Sequence, residues 1–484
     1  MKKTLLFLSL MMLLGGVAVA QPALGRGTEG KRFEASEFNV NRYVGSSDRL
    51  DCWITEGRKH QKQVALLNIN FEPLAVIQLP KSNDLEVLTA SMEGRRVAVM
   101  LADQTERKQT IVYRCEVDLD AQTVSPYDTL VGFGYDRKDK CMTWGATSPD
   151  GRLNALVCIV QMNDSKQYRT YIALYDARMY RMWEKEFALG SMQDLWVTNE
   201  GRIVTLGYEP EGPETHFIFN VVESDRAATY DAVVKCDPVA DMHLANVVGP
   251  YAVAIGTYHP ASGRNADRFT AGVLGMSFHI DSAILAGITM RPLQNEDMNI
   301  LLNKKTKKIQ KEQQLDRLSI MGRVATDFGA TIALSRTMTI EKTSQNGRVS
   351  RTGHAIGLHI AAVDTLGHIR WVRNIRRNDV QKESDDKLGV AMAYANGELC
   401  VVRSEPAKSP EIYDIANEAK ELTSGSKCNV VLYSISNTGD TRKLLLERKS
   451  KQTVFYGLTR RDGSMIFVSG RGDRTRQAEL RFDY

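Results

Sequence analysis

Apolar or alternating runs of four to eight residues, each closed by a turn cluster, recur along the chain. They cover 64–69, 96–101, 110–117, 153–160, 170–175, 202–207, 252–258, 331–334, 398–403, 429–435 and 464–469. Period-two alternation puts successive side chains on opposite faces of a strand, and short continuous apolar runs suit strands buried on both faces. Long helical periodicity is nearly absent. The pattern predicts an all-β protein.

A turn marker precedes one strand of each unit. It reads Glu93-Gly94-Arg95, Asp150-Gly151-Arg152 and Glu200-Gly201-Arg202, then more loosely Val248-Gly249-Pro250, Phe328-Gly329-Ala330, Asn396-Gly397-Glu398 and Asp462-Gly463-Ser464. Glycine supplies the positive φ of a tight hairpin, and Asp or Asn tolerates the same region. The glycines lie 57, 50, 48, 80, 68 and 66 residues apart. A four-stranded propeller blade needs about 40–50 residues, so the longer spacings require insertions. A second signature is a hairpin whose last strand carries Trp183 or Trp371, and the hairpins at 67–77 and 434–446 share its build without the Trp. Such a Trp is expected to pack between neighbouring blades rather than stack on a ligand. The expected fold is a β-propeller of seven blades, with eight the alternative, forming one domain over 21–484.

Near the C-terminus Leu480, Phe482 and Tyr484 alternate with Arg481 and Asp483, which predicts a last strand. In a propeller the two terminal strands often share a blade, which leaves no open edge. A terminal aromatic also marks outer-membrane barrels, but the regular ten-residue amphipathic strands of that class are missing. A C-terminal sorting domain stays open as an alternative.

Two stretches break the β rhythm. In 291–319, Met298, Leu301, Leu302, Ile309, Leu315 and Leu318 are roughly helix-spaced, which predicts a short helical excursion. In 404–427, Ser409 reads as an N-cap, Pro410 as the first helical residue and Gly425 as the stop. Ile412, Ile415, Ala416, Ala419 and Leu422 would form the apolar stripe of that second helix.

Residues 1–20 are a separate object. Lys2 and Lys3, an apolar run over 5–19, and small Ala18 and Ala20 before Gln21 form a secretory signal peptide pattern, too short for a comfortable membrane span. No later run approaches the roughly 20 apolar residues of a second span. The chain carries 63 Lys and Arg against 58 Asp and Glu, and two of the lysines belong to the leader, leaving +3 on the rest. That balance gives no global attraction to nucleic acid. The seven cysteines, Cys52, Cys115, Cys141, Cys158, Cys236, Cys400 and Cys428, include no CxxC pair. Most sit in strand-like runs and read as buried thiols, with one bridge between neighbouring strands left open.

Candidate chemistry is sparse. The eight histidines form no HExxH or HxH, there is no EF-hand loop and no GxSxG elbow, and Gly470-Arg471-Gly472-Asp473 precedes no helix. No catalytic, cofactor or metal residue is therefore assigned. Propeller glycosidases use paired carboxylates at the channel, and Asp51, Asp103, Glu209 and Asp267 are candidates only if they converge. The solvated reading of each is favoured. The one candidate binding patch is Lys304, Lys305, Lys307 and Lys308, which could meet an anionic surface, against the simpler reading of a solvated charge run. No aromatics are interleaved with it, so nucleic acid is not the expected partner.

Ser148-Pro149-Asp150-Gly151-Arg152 resembles the blade turn of the Tol-system periplasmic propeller and of WD-repeat-like bacterial propellers. The strand–turn–Trp hairpins resemble those of quinoproteins, without implying the quinone cofactor. The stretch 327–484, from Asp327-Phe328-Gly329 through Ile369-Arg370-Trp371 to 476–482, is similar to exported propeller-like proteins of Bacteroidetes whose function is largely unknown. It departs from them at Ser335-Arg336-Thr337-Met338, where such proteins often carry an acid and aromatics. The resemblance implies fold and compartment, not chemistry.

The expected function is a non-enzymatic binding or scaffold protein of the cell envelope, in the periplasm, on the outer surface or outside the cell. It would recognise another envelope protein or a glycan through loops on one propeller face. The alternative is an envelope glycan hydrolase with channel-mouth carboxylates. A redox quinoprotein is a third, weaker reading.

Overall fold

The computed structural model describes residues 23–483, apart from 35–38, 48–49, 69–71, 107, 137, 164–167, 188–191, 212–213, 263–264, 304–314, 344–348, 383–387, 408–418, 424–425, 451–452, 460–464 and 472–473. The leader at 1–20 and the marker at Gly463 lie outside these. Eight sheets follow one another, each built on a four-stranded antiparallel meander, and two of them carry a fifth strand of two residues. Their inner strands are Asn39–Ser47, Leu85–Glu93, Lys140–Thr147, Asp194–Val197, Val239–Val248, Ser319–Thr326, Ala391–Ala395 and Thr453–Thr459. We number the sheets 1 to 8 in that order. Neighbouring inner strands pack on each other from sheet 1 through sheet 8, and the outer strand of sheet 8 is Ala23–Glu34, paired with Arg474–Asp483. This is a β-propeller whose two ends of chain share a blade.

There are eight blades, not the seven expected first. All six markers within the described residues are first-hairpin turns with positive φ, at Gly94, Gly151, Gly201, Gly249, Gly329 and Gly397. They count sheets 2 to 7, and Gly463 counts sheet 8 in the sequence. Sheet 1 escaped because its first turn, between Ser47 and Leu50, has no glycine.

An antiparallel meander fixes which connections share a face. Turns after the first and third strands of every sheet lie on one face, here the turn face. Connections after the second and fourth strands lie on the other, the connection face. The glycine markers all close the turn face. The strand ends joined by the long segments 258–272, 292–319, 343–349 and 406–428 all open onto the connection face.

Apolar clusters fill the gaps between consecutive sheets. One joins Cys52, Val64 and Leu66 of sheet 1 to Met92, Val97 and Leu101 of sheet 2. Trp371 is buried between sheets 6 and 7, and Trp183 packs on the core between sheets 3 and 4, the inter-blade positions expected of them. All seven cysteines are free thiols, so no bridge staples the sheets. Five are buried, and burial pushes the Cys52 thiol up to about 12.

The first insertion contains helix α1, Asn295–Leu301. It is shorter than the residue spacing suggested: Leu315 and Leu318 are buried but not helical. Gln294 and Asp297 form a reciprocal capping box at its start. Ile300 and Leu301 are buried, and Leu301 joins Leu315 and Leu318 in the core between sheets 5 and 6. The helix can lie this close because Gly357, in a bulge of sheet 6 with φ +65°, has no Cβ; one would stand 2.7 Å from the Ile300 carbonyl oxygen. Of the second predicted helix, from Ser409 to Gly425, residues 409–418 and 424–425 lie outside the described residues, and 419–423 are not helical. Leu422, expected on its apolar stripe, instead pairs through Leu422–Thr423 in parallel with Ile369–Lys382.

Candidate functional site

The lysines singled out by sequence, Lys304, Lys305, Lys307 and Lys308, lie outside the described residues. The residue before them does not. The Asn303 side-chain amide donates to the Ala419 carbonyl at 3.1 Å, and the Ala419 N–H donates back to Asn303 Oδ1 at 2.6 Å. This pair joins the two insertions, which are 116 residues apart in sequence. The insertions come from different blades, one between sheets 5 and 6 and the other inside sheet 7. The parallel pairing of Leu422–Thr423 onto sheet 6 adds a second tie. Both insertions leave and rejoin the blades at the connection face, and their described residues meet there at Asn303 and Ala419. Nothing in the sequence around Asn303 marks this junction.

Within the first insertion, α1 is tied to sheet 6 by polar groups of which Asp297 and His359 are buried. Asp297 Oδ1 accepts from Asn374 Nδ2 at 2.6 Å, and Asn374 Oδ1 meets His359 Nδ1 at 2.7 Å. Arg291 Nη1 reaches Asp297 Oδ2 at 3.2 Å. Burial holds the His359 pKa below its ordinary value, although Asp297 and Asn374 pull the other way.

A second polar cluster gathers at the channel, where inner strands converge. Asp194 opens the inner strand of sheet 4, Asp241 and His243 alternate near the start of that of sheet 5, and Arg323 lies on that of sheet 6. His243 Nδ1 is 3.1 Å from Asp194 Oδ2, and its Nε2 is 3.0 Å from Asp241 Oδ1. Arg323 Nη1 donates to the same Asp194 Oδ2 at 2.6 Å. One carboxylate thus ties three consecutive blades. Sheets 4 and 6 flank sheet 5, so Arg323 reaches Asp194 across the inner strand of the sheet between them. Asp194 and Asp241 stand at the starts of their strands, which is the connection-face end of the channel.

Burial disfavours the His243 cation, but a carboxylate on each ring nitrogen outweighs it and the pKa rises to about 9. The Asp194 carboxyl would be raised by burial, yet His243 and Arg323 hold it below its ordinary value. Asp241 is lowered first by its hydrogen bond from His243. The cluster is internally neutralised: an imidazolium locked between two carboxylates is not a free base. Its members are 49 and 129 residues apart in sequence. The only trace they leave is the period-two polar pair Asp241-Met242-His243 in a strand that is otherwise apolar but for Asn246.

The four carboxylates considered from sequence do not share a sheet. Asp51 is buried in sheet 1, Asp103 ends a strand of sheet 2, Glu209 is exposed in sheet 4, and Asp267 is exposed in a connection of sheet 5. Among the described residues there is no group of three His, Cys, Asp or Glu suited to a metal ion, and no helix long and apolar enough to cross a membrane.

No protein family matches the chain, and no curated protein sequence matches it. Solved structures similar to it include the WD40 domain of SCAP from fission yeast, at 7% identity over 94% of this chain and 98% of that one, with a TM-score of 0.36. The β-propeller domain of the trilobed protease from Pyrococcus furiosus is 10% identical over 87% and 98%, with a TM-score of 0.34. The Dos1 propeller is 7% identical over 94% and 95%, also at 0.34.

Proposed function

We propose that this propeller is an exported binding or scaffold protein of the cell envelope. It engages a protein or glycan partner through the connection face over sheets 6 and 7. The observation that carries this reading is the Asn303–Ala419 junction, which builds one surface from two insertions of different blades. Short turns are enough to connect blades, so insertions that meet are a feature added to the ring rather than needed by it. The lysines of 304–308 follow Asn303 directly in sequence. The leader pattern at 1–20, and the similarity of 327–484 to exported Bacteroidetes propeller-like proteins, support export.

The hydrolase alternative is less well supported. A glycosidase acid needs a raised pKa and a second carboxylate at a set separation. Asp194 and Asp241 are both lowered and both bound to His243. The test is binding of envelope proteins and glycans to the protein and to a variant with Lys304, Lys305, Lys307 and Lys308 changed to Ser. Loss of a saturable partner in the variant supports the reading. Undiminished binding, or glycan cleavage lost in Asp194→Asn, contradicts it.

A further inference from the structure

The inner strand of sheet 1 carries a guanidinium that no described acid meets. Arg42 lies near the connection-face end of Asn39–Ser47, opposite Ile54. Its Nη1 donates to the Leu88 carbonyl, 2.6 Å away on the inner strand of sheet 2. Leu88 is the extra residue of a bulge between Val87 and Thr89, so Arg42 takes up a carbonyl displaced from the ladder. Arg323 makes a similar contact with the Leu244 carbonyl at 3.3 Å, beside the bulge at Ala245. Arg323, however, is also neutralised by Asp194.

Arg42 has no such acid among the described residues. The carboxylate two positions along the facing strand from Ile54 is Glu56, and Lys62 holds it at 3.3 Å while His60 takes its other oxygen. Burial lowers the Arg42 pKa, with no carboxylate opposing it, yet a guanidinium stays charged at any physiological pH. A half-buried charge without a counter-ion is costly unless an anion supplies one. Of the five N–H groups of Arg42, the bulge carbonyl occupies one.

The geometry points to an oxyanion site at Arg42, between the inner strands of sheets 1 and 2 near the connection-face end of the channel. There the guanidinium fork takes a carboxylate, sulfate or phosphate group in charge-assisted pairing. The site is in different sheets from the composite surface over sheets 6 and 7, so it stands or falls independently of it.

The test is titration of the protein with sodium sulfate, phosphate and acetate, at ionic strength held constant with chloride. Calorimetry and the thermal midpoint are the readouts. Saturable one-to-one binding with a rise in midpoint is expected, and the order of the anions tells a tetrahedral from a planar ligand. Arg42→Met should weaken binding by about tenfold or more, while Arg323→Met leaves it unchanged. Arg42→Lys keeps the charge but loses the fork, so it binds more weakly than the parent, and it decides the matter alone if Arg42→Met fails to fold. No saturable binding by the parent protein, or parental affinity in both Arg42 variants, overturns the site.

Discussion

Asp194→Asn should weaken the propeller at its channel and change how its stability responds to pH. Asp194 accepts from His243 at 3.1 Å and from Arg323 at 2.6 Å, and its other oxygen accepts the Leu195 N–H at 2.9 Å. Hydrogen bonds to charged groups are worth about 1.5–3 kcal/mol each. The Arg323 side chain is 38% exposed, so its share is screened toward the surface value of roughly 0–1 kcal/mol. The His243 contact is better shielded. An amide retains part of the geometry but not the charge, so the expected loss is about 2 kcal/mol. The pH response follows from His243, whose pKa of about 9 stands above the ordinary 6.5. A raised imidazole gives stability that is fully present below pH 6.5 and lost as pH rises through 9. The whole interval corresponds to at most about 3 kcal/mol. The variant keeps only Asp241 as a partner, so its fall in stability between pH 6.5 and 9 should be shallower and end at lower pH. Urea unfolding at half-unit steps from pH 6 to 9.5 measures both effects. Equal slopes for parent and variant across that window would refute the reasoning.

Other perturbations test other parts of the fold. Gly357→Ala places a methyl 2.7 Å from the Ile300 carbonyl oxygen at a φ of +65°, and should cost about 2–3 kcal/mol in urea unfolding. His359 has the opposite pH sign to His243: its folded pKa lies below 6.5, so its stability is present above pH 6.5 and lost as pH falls. The midpoint of the parent should drop as pH falls below 6.5, and His359→Gln should flatten that drop. Asn303→Ala removes both bonds to Ala419. Hydrogen exchange at the Ala419 amide should quicken by about tenfold, the equivalent of 1–2 kcal/mol, with little change in global stability. With seven free thiols, reductant should leave the thermal midpoint unchanged, and thiol titration of the denatured chain should find all seven.

The blades were legible because two independent periodicities agree. Period-two runs mark the strands, and a glycine at each first hairpin marks the unit, as at Gly151 and Gly201. Sheet 1 was miscounted where the second signal lapses, since Ser47 to Leu50 turns without glycine. Helix α1 was legible through Met298, Leu301 and Leu302, but Leu315 and Leu318 share that spacing only because both pack into the same inter-sheet gap. The polar sites were not legible. Asp194, His243 and Arg323 meet because three inner strands converge on the channel, and convergence is set by ring closure rather than by any local spacing. Asn303 and Ala419 meet for the same kind of reason, through the stacking of sheet 6 on sheet 7. Arg42 stands out only once the acids around it are seen to be engaged elsewhere.

If the joined insertions form the recognition surface, replacing part of them must release the partner. The most direct measurement is cross-linking of the protein to envelope extracts, comparing the parent with two variants. Deleting all of 291–319 would remove the buried Leu301, Leu315 and Leu318, so one variant replaces only 304–311 with a Gly-Ser segment. The other changes Tyr180, half-exposed on the turn face, to Ala. One stoichiometric partner is expected, lost on replacement of 304–311 and kept in Tyr180→Ala. A partner kept by the first variant, or lost from the second, would contradict it.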